Sequence, residues 1–252
     1  MPTITILGVV FPSGVVVDTM RFTGTFFENN HAPALRYALQ VIDSNVIVQW
    51  TMDEYDPDGD QSQYVTRALE LARAIVDPIA FREGVGLLVY LTELVKPDGT
   101  QMELIHGHNE LRDIVTAFPE EDPGIFQRML LGDPFLCRAV NDLIFAITLP
   151  GSVPVNCARA LESLRRIMVP AKDDPTRKKG WALMQQELNV SQSYCSAVTD
   201  AAIETRHGSH LRVPEDVVRT ALEHSWTIFN RYFEYRRRGN QRLPLSEFSL
   251  LS

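Results

Sequence analysis

The period of the apolar residues changes once along this chain, near residue 108, and that change limits the fold more than any other feature. Before it, short β-branched runs are separated by turn residues. After it, apolar residues recur every three or four positions as far as Arg238. A chain of this pattern folds as strands first and helices second. The expected class is therefore α+β, a strand-rich N-terminal domain followed by an all-α helical bundle.

Residues 3–10 and 15–22 read as two strands joined at Pro12-Ser13-Gly14, a hairpin signal. Residues 45–50 read as a further strand and residues 61–76 as a helix with one apolar stripe. Two apolar runs, 86–95 and 101–106, flank a turn containing Pro97-Asp98-Gly99, which predicts an antiparallel hairpin. Helices are expected over 108–118, 122–131 and 134–148, before a break at Leu149-Pro150-Gly151. Four more follow. Ser152, Asp174 and Ser191 are placed as N-caps, with Pro175 at the first position of its helix. The last runs from Pro214 to Arg238 and stops at Gly239. These signals divide the chain into 1–150, 151–239 and a loose tail, 240–252.

Charge follows the same division. Residues 1–150 hold 9 Lys and Arg against 21 Asp and Glu, whereas residues 151–252 hold 15 against 11. The C-terminal part can approach a polyanion that the N-terminal part repels. No run reaches the roughly 20 apolar residues of a membrane span, so no membrane contact is expected. The first residues read as a strand and not as a signal peptide. The three cysteines, Cys137, Cys157 and Cys195, are widely spaced and odd in number, which fits a reducing, cytoplasmic setting.

Few segments carry chemistry. The acidic loop 53–60 resembles a calcium loop only in part. With Gly59 at the sixth position, the twelfth falls on Val65, which has no side-chain oxygen. The loop therefore reads as solvated. His106 and His108 lack a third ligand and read as turn residues. Glycine-rich phosphate loops, G-x-S-x-G and H-E-x-x-H do not occur.

The most informative stretch is Glu204-Thr205-Arg206-His207-Gly208-Ser209-His210, at the end of a predicted helix. Arginine holds phosphate by paired N–H bonds at any working pH. Imidazole exchanges protons near neutrality. Together they suit metal-free RNA cleavage: one group deprotonates the ribose 2′-OH, another protonates the leaving oxygen, and Arg206 stabilises the phosphorane. His210 is the favoured proton-transfer group, His207 a support, and Glu204 an orienting carboxylate. Equally, arginine and histidine suit a helix C-terminus, with Gly208 as its cap.

The segment 152–239 resembles the HEPN superfamily of small helical domains. The likeness rests on Ala158–Arg166 (ARALESLRR), on the W-x-x-M-x-x-x-L spacing of Trp181, Met184 and Leu188, on Arg206-His207-Gly208, and on the long aromatic final helix. The resemblance implies dimerisation through the bundle. It also implies either metal-independent ribonuclease activity in antiviral and abortive-infection systems or a catalytically inactive binding role. Three residues separate Arg206 from His210, fewer than the family's usual motif, so both readings stay open.

The expectations are thus a cytoplasmic HEPN-like protein acting on RNA in defence or stress, or a HEPN-like interaction scaffold. No cofactor or metal is expected. RNA and a second copy of the chain, paired through the C-terminal helices, are the expected partners. The acidic N-terminal domain would take an unidentified ligand or protein.

Overall fold

The protein is described by a computed structural model. It covers residues 1–12, 16–26, 35–59, 61–104, 109–117, 124–148, 150–169, 173, 178–206 and 213–252. The chain divides into two compact units, Met1–Ile105 and His106–Ser252. An antiparallel sheet occupies the first and helices the second, the α+β arrangement.

The first unit is one sheet and one helix. Strands β1 (Thr3–Phe11), β2 (Phe22–Phe26), β3 (Leu35–Ile42), β4 (Asn45–Thr51), β5 (Leu88–Val95) and β6 (Gln101–Glu103) stand in the order β2-β3-β4-β1-β5-β6. Every pairing is antiparallel. Alternation along β1 and β4 sends Ile4, Ile6, Val46, Val48 and Trp50 to one face, where all are fully buried. Helix α1 (Ser62–Glu83) covers that face with Ala68, Ala72 and Val76, and Trp50 Nε1 donates to the Tyr64 carbonyl at 3.2 Å. The register between β1 and β5 shifts at Leu7/Gly8. A Cβ at Gly8 would lie 2.5 Å from the Tyr90 carbonyl oxygen, so this close approach requires glycine.

The 3–10 and 15–22 hairpin is not formed. β1 pairs with β4 and β5, and residues 16–21 lie outside any strand. This connecting segment is tied to the β3–β4 turn instead: Ser44 N donates to the Val17 carbonyl and Thr19 N to the Val41 carbonyl, both at 2.9 Å. The turn residues Asp43 and Ser44 have φ of 49° and 63°, the left-handed pair of a tight hairpin turn, here made without glycine. The β5–β6 hairpin forms around Lys96–Thr100 as expected.

The second unit contains α2 (Asn109–Ile114), α3 (Ile125–Gly132), α4 (Pro134–Thr148), α5 (Val153–Met168), α6 (Lys178–Leu188), α7 (Gln192–Arg206) and α8 (Glu215–Arg237). Its core joins Leu136, Val140 and Leu143 of α4 to Cys157, Leu161 and Leu164 of α5 and to Phe229, Tyr232 and Phe233 of α8. Asp133 starts α4 by accepting from Phe135 N and Leu136 N, each at 3.1 Å. Its other oxygen pairs with Arg236 at 3.4 Å. Asn230 on α8 accepts from Thr116 N and Ala117 N at 2.9 and 3.0 Å, holding the chain that follows α2.

Two boundaries drawn from the sequence are corrected. The domain limit falls near residue 105, not 150, because α4 supplies one wall of the helical core. The tail 240–252 is not loose. Asn189 donates to the Leu243 and Phe248 carbonyls at 2.8 and 3.0 Å, Leu251 N donates to the Asn189 carbonyl at 3.0 Å, and Leu243 is buried. Arg231 on α8 binds the Leu188, Asn189 and Ser249 carbonyls at 3.0, 2.8 and 2.8 Å. The break before α5 is the predicted one, though Ser152 makes no side-chain cap bond to the helix; Asn156 donates to its hydroxyl at 2.7 Å. Ser191 does cap α7, accepting from Tyr194 N at 3.1 Å. Asp174 and Pro175 lie outside the described residues.

Candidate functional site

Helix α7 carries the candidate chemistry. Its cap at Ser191 fixes where it begins, and the buried residues Cys195, Val198 and Ala202 turn one side to the core. The adjoining face bears Gln192, Ser196 and Thr199. With Glu162 on α5 and Lys178, Trp181 and Gln185 on α6, these line a groove of about 570 Å³.

The groove mixes one cation, one carboxylate, two amides, two hydroxyls and an indole. Trp181 packs partly on the helical core, which holds its ring in place as one wall. The Cys195 thiol at the groove is no nucleophile, since burial pushes it up to about 12. Burial does the same to Cys157, also to about 12, against an opposing bond with Ser225. The groove therefore offers recognition: an aromatic surface, amide donors and acceptors, and one charge of each sign.

Arg206 is the last residue of α7. It follows Thr199 by seven positions, two helical turns, so its Cα lies about 10 Å further along the axis and within about 20° of the same direction. Arg206 thus follows the groove residues along α7, beyond the last of them. Glu204 lies on the same last turn of α7; the described structure of Glu204 and Arg206 is their backbone. His207 and His210 lie outside the described residues, as do His106 and His108.

The remaining described histidine near α7 has a structural setting. His224 stacks on Tyr194 with ring centroids 3.5 Å apart and an interplanar angle of 12°, and its Nδ1 donates to the Tyr194 carbonyl at 3.2 Å. Burial lowers its pKa from the ordinary value. In the first unit, the acidic loop folds on itself: Asp56 Oδ1 accepts from Asp58 N at 3.0 Å, and Gln61 Nε2 donates to the Asp56 and Gly59 carbonyls at 3.1 and 2.8 Å. Among the described residues, His, Cys, Asp and Glu form no group of three that could hold a metal.

Sequence reasoning did not find Trp181, Lys178, Gln185 and Gln192 as groove residues. Only the Gln192–Ser196–Thr199 spacing on one helix carried a signal. The other wall depends on how α5 and α6 cross α7, which one helix's period does not encode. The aromatic surplus of α8 also reads differently in three dimensions. Phe229, Tyr232 and Phe233 are buried, and Trp226 and Tyr235 partly so against the same core, because α8 is covered from several sides by its neighbours.

Among the described residues no helix is long and apolar enough to cross a membrane. No curated protein and no solved structure matches the chain. Residues 4–105 match the family described as Domain of unknown function (DUF8168) N-terminal domain, and residues 125–237 match Domain of unknown function (DUF8168) C-terminal domain. These ranges fall in the sheet unit and the helical unit respectively, and the chain thus carries both domains of the DUF8168 family, in order.

Proposed function

We propose that the helical unit is HEPN-like and binds single-stranded RNA, and that it cleaves the RNA without a metal at the end of α7. One feature supports this reading: Arg206 follows the groove residues Gln192, Ser196 and Thr199 on the same helix, two turns beyond Thr199 and on nearly the same line of α7. An unpaired base stacks on Trp181 while amides and the Glu162 carboxylate take its edge. Lys178 faces the backbone phosphate. Arg206 then stands two turns away, a distance of one to two nucleotides, with His207 and His210 following as the proton-transfer pair and Glu204 as an orienting group. A cytoplasmic role in defence or stress belongs to the same reading.

The test is incubation of the purified protein with total RNA in EDTA, beside Arg206→Ala. Cleavage by the wild type is expected, with a loss of about 10²–10³-fold in the variant, by analogy with removing one oxyanion donor. All-DNA substrates stay intact, since the 2′-OH is the nucleophile. Intact RNA after long incubation with a folded protein overturns cleavage.

A specific observation favours a second reading, the inactive interaction scaffold. On α3 and α4 the residues Leu131, Phe135, Ile144 and Phe145 are 85%, 68%, 50% and 52% exposed. Exposed apolar side chains of this size fit cover by a protein partner or a second copy of the chain.

A further inference from the structure

We infer that the face of the N-terminal sheet opposite α1 holds a phosphate-binding dish, formed by Arg21 and Arg36 around Ala38. This goes beyond the reading of the helical unit and does not depend on it.

Helix α1 covers one face of the sheet. The other face displays the alternate residues of each strand, and the register places them in rungs. Thr25 pairs with Arg36 and Arg36 with Thr51, giving one rung across β2, β3 and β4. Thr23 pairs with Ala38 and Ala38 with Gln49, giving the next. Ala38 is thus the small residue at the centre, with longer side chains on every side of it. The result is a concavity of about 410 Å³.

Its donors suit phosphate. Arg21 reaches across from the start of β2, its guanidinium 3.4 Å from Gln49 Oε1, a neutral acceptor. Arg36 meets Asp53 at 3.4 Å, but both side chains are half exposed or more, at 50% and 64%. Such a contact is weak and gives way to a stronger anion. Three threonine hydroxyls and the Gln49 amide add neutral donors between the two cations. Two planar forks with hydroxyls between them match the several oxygens of a phosphate group.

The charge around the dish makes this placement informative. Residues 1–105 hold 14 Asp and Glu against 6 Lys and Arg. Among the described residues no carboxylate lines the concavity, although Asp53 meets Arg36 at its edge, whereas two of the six basic residues do. An acidic unit has thus placed two guanidinium groups in one polar concavity, with the nearest described carboxylate held in a weak, exposed pair. Its volume exceeds a bare ion and suits a phosphate ester with an organic part.

Calorimetric titration of the full chain at low salt tests this, with inorganic pyrophosphate, with AMP, and with an octauridylate lacking a terminal phosphate. Saturable binding of AMP or pyrophosphate is expected, weakening at least tenfold in Arg21→Ala and in Arg36→Ala. Ala38→Leu fills the dish while keeping both cations and should weaken binding comparably. Thermal melts of the three variants verify that they fold. Binding of AMP without octauridylate assigns a phosphomonoester; binding of octauridylate that is equally sensitive to Arg21→Ala assigns a phosphodiester strand. Lys178→Ala, in the helical groove, should leave the AMP titration unchanged. No saturable binding to any probe overturns the inference. So does binding that survives all three sheet variants, or AMP binding that Lys178→Ala abolishes.

Discussion

Tyr194 and His224 stack ring on ring at 3.5 Å, joining the first turn of α7, the helix that ends at Arg206, to α8. Burial lowers the His224 pKa and outweighs the Tyr194 carbonyl and Glu223, which both favour the charged form, so the neutral imidazole is preferred in the folded state. In the unfolded chain this histidine titrates near 6.5. Above that pH neither state is protonated and the contact contributes fully. As pH falls through 6.5 toward the lower folded value, the unfolded chain takes up a proton that the folded chain refuses, and stability is lost. Denaturant midpoints measured from pH 8 to pH 5 should fall, and should fall less steeply in His224→Gln. Parallel profiles for the two proteins would show that His224 does not titrate between the folded and unfolded states.

Arg231 is the second point of leverage, because it serves three carbonyls at once. Burial lowers its pKa, yet the guanidinium stays charged at any working pH. Arg231→Ala leaves the buried Leu188 and Asn189 carbonyls, and the part-buried Ser249 carbonyl, without this donor. The loss should be about 3 kcal/mol, in the range for breaking a buried hydrogen-bonded charge. Denaturant titration measures it, and a loss under about 1 kcal/mol would mean the tail is held by Asn189 and Leu243 alone.

That hub also marks where the sequence stops being legible. Gly239 and the arginines before it announce the end of α8, and a short polar segment after a helix stop reads as a free tail. Its attachment depends on Asn189, at φ 52°, and Arg231, 42 residues further on, whose roles show only once α6 and α8 are side by side. The β3 strand is the opposite case. Leu35, Tyr37, Leu39 and Val41 alternate with Arg36, Ala38 and Gln40, a readable period of two. It goes unnoticed because the turn after it, Asp43-Ser44, lacks the glycine that marks such turns. The groove and the dish were illegible for one shared reason. Each is assembled from residues on three or more segments, and none of those segments alone carries an unusual pattern.

The RNA reading makes a prediction at the groove that is separate from cleavage. Trp181→Phe keeps an aromatic face and should retain most binding to a fluorescent single-stranded RNA, whereas Lys178→Glu should weaken it. Removing the stacking surface entirely costs about 1–3 kcal/mol per base. Trp181→Ala also removes core packing, so its binding is compared only after a melt shows it folded. Affinity of the wild type should fall as salt rises. Equal anisotropy curves for wild type and Lys178→Glu would remove the groove from the RNA path.

The scaffold reading makes its own prediction at α4. Phe135 and Phe145 are exposed on a helix whose buried side is already complete, so replacing both with Ser should leave the fold intact. If these side chains pair copies of the chain, light scattering should show dimers for the wild type and monomers for the double variant. A monomeric wild type at micromolar concentration would leave the face to a different protein and would end the expectation of a homodimer.

The placement of the domain limit yields the last prediction. A fragment that begins near residue 151 contains every element resembling HEPN, but it lacks α4. Leu136, Ala139, Val140, Leu143 and Ala146 of α4 are all buried, and α5 presents Cys157, Ala160, Leu161 and Leu164 to the same core. Without α4 the apolar side of α5 meets water at about 25 cal/mol per Å², and losing even one buried leucine to alanine costs about 2–5 kcal/mol. A domain of this size is stable by only about 5–15 kcal/mol. The fragment 151–252 should therefore be helical without a cooperative melt, and should bind hydrophobic dyes. The fragment 106–252 should unfold in one sharp transition and stay dye-free. Leu143→Ala in the full chain should lower the stability of the helical unit, with the effect read by the near-ultraviolet signal of Trp181 and Trp226. A cooperative melt from 151–252 would show that α5 to α8 form a core of their own and that α4 is an addition to it.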